Sequence, residues 1–227
     1  MRVMTSMAVL LEVLLLCACH RAPGTPLGAA AAEGDANLVR RLLAAGEEPD
    51  RLDRAGLGPI HYAARAGRTA VIAELVEAGA SVDLRDRAAN AWTPLMHAIH
   101  KRQTGAALTL LAAGAAVEPR SDGATTPLFM AAGYGEVEIV RALLERGADP
   151  RARLRGGMTA LWSAAGGGSL ADITDGPPLG SCSPEVVELL LERAPDLRLE
   201  RNSWTRAIHW LASSPECAEL THRLQEG

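Results

Sequence analysis

The sequence predicts an all-α solenoid, a row of short helix pairs that share one elongated apolar seam. One unit recurs along the 227 residues, with a Pro slot at Pro26, Pro59, Pro94, Pro127, Ala160 and, in degenerate form, Ala207. The intervals are 33, 35, 33, 33 and 47 residues, and a fixed period of this size signals stacked supersecondary units. Within each unit apolar residues fall at helical spacing, yet a single helix pair cannot bury its own stripe and needs neighbours. Aromatic residues are 3% of the chain while Ala and Gly abound. The interior is therefore expected to be closely approaching helices, not large rings.

The clearest copy is TTPLFMAAGYGEVEIVRALLERGADP, residues 125–150. Thr126 is placed to cap a first helix with its hydroxyl, and Pro127 suits the first helical position, where its missing N–H would have no partner. Ala131 and Ala132 let adjacent helices approach. Gly135 and Gly147 supply backbone conformations that a Cβ penalises. Ile139, Val140, Leu143 and Leu144 form the stripe of a second helix. These residues resemble the ankyrin repeat, with its T-P-L-H-x-A-A first helix, its second helix of paired Val and Leu, and its closing Gly-Ala-Asp. The resemblance covers residues 25–226 or so and implies about six helix-turn-helix units with β-hairpin-like fingers between them.

In chain order, residues 25–50 make the first unit, with Gly28 in the usual His slot. Residues 58–83 make the second, with His61, Ala63, Ala64 and Gly67 in register. The third, 93–117, has two extra residues in its leading finger and Arg102 where a Gly is expected. The fifth, 159–197, carries about 14 extra residues between Ala165 and Val186. This insertion, residues 166–182, is rich in Gly, Pro and Asp and reads as a loop. Ser183-Pro184-Glu185 then restarts a helix as cap, first-turn Pro and first-turn acid. A degenerate sixth unit, 204–224, closes the stack. One repeat domain, 25–227, is expected.

Ahead of it, residues 1–19 read MRVMTSMAVLLEVLLLCAC. The apolar run from Met7 to Ala18 has 12 residues, about 18 Å as a helix, against a hydrocarbon core of roughly 30 Å. It fits the apolar region of a secretory signal, although Glu12 interrupts it at a cost. Leu16-Cys17-Ala18-Cys19 resembles the lipobox of bacterial lipoproteins. That resemblance implies a mature chain beginning at a lipid-bearing Cys19, anchored by several acyl chains and joined to the repeats by a tether of residues 20–24. His20 after Cys19 makes the outer membrane, facing the periplasm, the expected site. A cytoplasmic protein with no anchor is the alternative.

The net charge of −4 gives no global signature of nucleic-acid binding. No nucleophile elbow, phosphate loop or HExxH helix is present, and Gly166-Gly167-Gly168 lacks the Lys-Ser/Thr of a phosphate cradle. An enzyme with its site in the insertion would need convergent acid, base and nucleophile groups, and the loop has none at suitable spacing. No enzyme activity, cofactor or metal is expected. His97 and His100 fall on one helical face but lack further ligands nearby. His61 and His209 occupy the ankyrin His slot, which implies a structural role bonding across the finger. Cys182 and Cys217 each adjoin a Ser-Pro-Glu helix start. In an exported chain they form a disulfide or stay as two thiols, and the spacing does not choose.

In the ankyrin family the fingers and first helices form a concave face that grips protein partners. Counted from the Pro slot, Tyr62, His97, Met130 and Trp210 are expected to point outward, with Arg65 and His100 one turn on. The fingers add Arg85, Arg87, Arg151 and Arg153, together with Trp92 and Trp204. Arg51, Arg54, Arg120, Arg155 and Arg201 extend this basic edge, while the second helices carry Glu. The expectation is a monomer that binds a protein with an acidic surface, through a salt-sensitive contact.

Overall fold

The computed structural model describes residues 24–87, 91–118, 125–154, 157–167, 182–199 and 215–226. The run expected to be a signal and lipobox with Cys19, most of the 166–182 insertion, and Trp204 and Trp210 lie outside them. Four complete helix pairs come first: α1 (Pro26–Glu33) with α2 (Ala36–Ala44), α3 (Pro59–Arg65) with α4 (Thr69–Glu77), α5 (Pro94–His100) with α6 (Thr104–Ala112), and α7 (Pro127–Tyr134) with α8 (Val137–Glu145). The fifth pair is a short α9 (Ala160–Trp162), prolonged by a wider turn over Ser163–Gly167, with α10 (Pro184–Arg193). A last helix, α11 (Pro215–Glu226), packs against that turn.

The first helices line up as one layer, α1 on α3 on α5 on α7 on α9, and the second helices as another, α2 on α4 on α6 on α8 on α10. One continuous core runs between the layers, from Leu27 to Leu224. Small residues set the spacing: Ala63, Ala64, Ala98, Ala131 and Ala132 are buried where first helices meet.

Local chemistry starts and stops each helix. Thr25, Thr93, Thr126 and Thr159 accept hydrogen bonds from backbone N–H groups three residues on, at 3.0, 3.4, 3.2 and 3.2 Å. Gly58 takes this place in the second unit, and its backbone N–H donates to His61 Nδ1 at 3.0 Å. The turn between paired helices needs a left-handed residue. Gly67 and Gly135 supply it, and in the third unit Arg102 does so at φ 54°. That strain is of order 1 kcal/mol, and the side chain offsets part of it by reaching Glu136 at 2.9 Å and Tyr134 O at 3.3 Å.

Two expectations are corrected. Ser183 makes no side-chain cap. Its backbone N–H donates to Ala164 O at 2.8 Å instead, and its side chain lies against Gly135. The fingers, expected to resemble β-hairpins, contain no strand among the described residues. In three of them a backbone bond joins the two arms: Asp53 N–H to Leu57 O (3.0 Å), Asp86 N–H to Trp92 O (3.0 Å) and Leu154 N–H to Met158 O (2.9 Å). The arms are too short to add further rungs. Neighbouring fingers do touch, since Arg87 N–H donates to Gly56 O at 2.9 Å.

The slot that holds Leu42 in the first unit holds Leu75, Leu110 and Leu143 in the next three. Those three are fully buried, whereas Leu42 is only partly covered because no described unit precedes it. Leu143→Ala should therefore cost about 2–5 kcal/mol and Leu42→Ala clearly less. Urea denaturation of the two variants checks this, and equal losses would contradict the stacking.

Candidate protein-binding surface

The structure buries four of the residues expected to face a partner. Met130 is 0% exposed, His97 4%, and Tyr62 and Trp92 7% each. For Tyr62 and His97 the cause is close stacking, which brings the third position after the helix start against its own finger. The Tyr62 hydroxyl donates to Asp53 Oδ2 at 2.6 Å. In the next unit His97 takes the place of Tyr62 and Asp86 that of Asp53, and His97 Nε2 bonds Asp86 Oδ2 at 2.6 Å. One ring-to-carboxylate staple thus occurs twice, 33 residues apart by its acids.

A network surrounds the second staple. His61 Nδ1 accepts the Gly58 N–H at 3.0 Å, which leaves Nε2–H to donate to Leu84 O at 2.9 Å. Arg65 Nη1 lies 3.4 Å from His97 Nδ1, so His97 fits a neutral ring that donates from Nε2 and accepts at Nδ1. The rings of Trp92 and His61 meet His97 edge-on, and Trp92 also meets His100. His100 Nδ1 bonds the Tyr134 hydroxyl at 3.0 Å in the fourth unit. His100 and Arg65 are half-buried members of this network rather than free surface groups.

Burial sets the protonation of the cluster. Desolvation pushes His61 down from 6.5 to about 4, and the proximity of His97 adds to the fall. His97 is also lowered by burial, and its hydrogen bond to Asp86 only partly opposes this. Burial alone would raise the Asp53 carboxyl. Hydrogen bonds from Tyr62 and from the backbone of Gly24, Leu57 and Ala55 outweigh it and hold that group below 3.8.

A second set of acids ties successive units together. Asp50 accepts the Ser81 N–H at 2.9 Å, Asp83 the Ala116 N–H at 3.0 Å, and Glu118 the Asp149 N–H at 2.9 Å. In the fourth unit the same slot holds Arg151, which pairs with Asp196. Sequence reasoning missed these residues. A signal was available, since Asp50, Asp83 and Glu118 recur at the same 33- and 35-residue intervals as the Pro slot.

The finger rim remains exposed. Arg51, Arg54, Arg85, Arg87, Arg151 and Arg153 all lie there with solvent-facing side chains. Arg120, Arg155 and Arg201 belong to segments outside the described residues. The outer helices carry exposed Glu77, Glu138, Glu185, Glu188 and Glu192. Acids are interspersed with the finger arginines, as Glu48, Asp83, Glu118 and Asp149 are exposed on the fingers, and Arg40, Arg41, Arg141 and Arg193 are exposed on the outer helices. Among the described residues no group of three or more His, Cys, Asp or Glu could hold a metal ion, and no helix is long and apolar enough to cross a membrane. At the C-terminal end, Cys182 and Cys217 are joined as a disulfide with their Cα atoms 5.6 Å apart.

Known families agree with this architecture. A family model described as ankyrin repeats in three copies matches residues 27–121, and a second, ankyrin repeats in many copies, matches 128–174. Together the matches span more than half of the chain, and the chain belongs to the ankyrin-repeat family. Repeats of this family are protein–protein interaction modules and are typically non-catalytic. No curated protein matches the chain.

The staple cluster makes stability depend on pH. The folded state keeps His61 neutral to about pH 4, whereas the unfolded chain protonates it near 6.5. The unfolded state binds more protons between those values, so stability present above about pH 6.5 is lost as pH falls toward 4. The full loss from His61 is on the order of 3 kcal/mol. Urea midpoints for wild type and His61→Gln across this window test it: wild type should fall steeply and the variant less so.

Proposed function

We propose that this protein is a non-catalytic scaffold, held at the cell envelope by a lipid on Cys19, that docks an acidic protein surface on its arginine-bearing finger rim. The observation that carries the docking reading is the set of exposed finger arginines, Arg51, Arg54, Arg85, Arg87, Arg151 and Arg153. Of the staple acids among these arginines, Asp86 is buried against His97, while Asp53 stays partly exposed against Tyr62. Arginine on a rim steers association and sets salt sensitivity more than it adds affinity. Arg65 and His100 are the least buried of the described first-helix residues expected to meet a partner, and both are engaged with His97 or Tyr134. Trp204 and Trp210 lie outside the described residues and stay in the proposal from sequence alone.

The anchor rests on the lipobox-like run ending at Cys19. The tether from Cys19 to Thr25 holds the repeats within roughly 20 Å of the bilayer at full extension. The Cys182–Cys217 bond favours an oxidising compartment, as exported proteins experience, over the cytosolic scaffold or inhibitor that is the alternative reading. The stack is proposed to act as a monomer.

Two measurements test this. Acyl labelling of the wild type in its own cells should mark the chain, and Cys19→Ser should abolish the label; an unlabelled wild type returns the protein to the cytosolic reading. Crosslinking capture of the full chain should yield a protein partner. The double variant Arg54→Glu, Arg87→Glu should weaken that capture about tenfold or more at low salt. Equal affinity for the variant, or affinity indifferent to salt, removes the acidic-partner reading.

A further inference from the structure

Helix α11 buries Cys217, Leu220, Thr221 and Leu224 against the rest of the chain. Its remaining side chains are mostly polar, and a backbone bond, Leu199 N–H to Leu224 O at 3.0 Å, ties its far end. Its near end is tied covalently, through Cys217 to Cys182. Cys182 sits at a fixed point. The next residue, Ser183, donates to Ala164 O and lies against Gly135, so the bond fastens the last helix to the place where the chain re-enters the stack after the insertion. Beneath α11 lies the wide turn Ser163–Gly167, where Gly166 at φ 131° leaves helical geometry. This is the least regular part of the described core, and α11 is packed against it.

We propose that the Cys182–Cys217 disulfide is a redox-operated clasp, which holds α11 on the stack when oxidised and releases it when a dithiol reductant opens the bond. Cys182 is partly exposed, whereas Cys217 is buried at 4%. A reductant therefore approaches the Cys182 sulfur. Its thiolate attacks Cys182 Sγ, the S–S bond breaks, and Cys217 leaves as a thiolate that takes up a proton. The second thiol of the reductant then attacks the mixed disulfide, Cys182 leaves as a thiol, and the reductant departs as its own disulfide. Two electrons and two protons pass to the protein. The cross-link spans 35 residues, and losing it restores the chain entropy that it had removed from the open state. The clasp is independent of the lipid anchor and of the partner proposed above.

The test uses the full chain. Peptide mapping without reductant should show residues 182 and 217 in one linked species. Hydrogen exchange read by mass spectrometry should then find α11 protected in the oxidised protein. After dithiothreitol its exchange should rise by about ten- to a hundredfold, while the α7–α8 pair stays unchanged. The double variant Cys182→Ser, Cys217→Ser should match the reduced wild type without any reductant, which separates loss of the bond from other effects of dithiothreitol. Absence of the linked species, or α11 exchange that is the same with and without reductant, overturns the proposal.

Discussion

The architecture depends on how closely the first helices pack. Buried alanines at Ala63, Ala64, Ala98, Ala131 and Ala132 let each first helix approach the next closely. Close-packed interiors tolerate few voids, so everything near that contact must have a partner or be apolar. The ring-to-carboxylate staples, the neutral histidines and the joined fingers follow from this spacing.

The same spacing explains which polar groups became structural. Tyr62 and His97 occupy one slot in successive units, and each finds a carboxylate in its own finger. A buried donor without a partner would cost more than such a bond returns, so the finger acid and the helix ring go together. The Arg102 turn follows similar logic. A non-glycine residue is held in left-handed backbone because its guanidinium reaches the next unit's Glu136 and Tyr134 carbonyl.

Binding is left to the parts that stacking does not use. Finger arginines such as Arg51, Arg54 and Arg87 lie outside the core and are exposed to solvent. This division between a fixed seam and a variable rim is what makes a repeat stack a binding module, and it is why the fold alone does not name the partner. The C-terminal end differs. There a covalent bond, Cys182 to Cys217, joins the last helix to the stack.

Helix existence, the repeat period, the threonine caps and the glycine turns were legible in the sequence, because each signal is local. Thr126 caps a helix three residues away, and Gly135 turns the chain where it stands. Which way a ring points was not legible. Tyr62, Trp92, His97 and Met130 were expected on a surface and lie inside, because their exposure depends on where the adjoining finger and the next unit come to rest. The inter-unit ladder of Asp50, Asp83 and Glu118 joins residues some 31 to 33 positions apart. The bond of Cys182 to Cys217 was likewise one of two open states. A single sequence determines what each segment forms by its own hydrogen bonds and apolar spacing. Only stacking decides which side chains meet, because those contacts are made between units rather than within them.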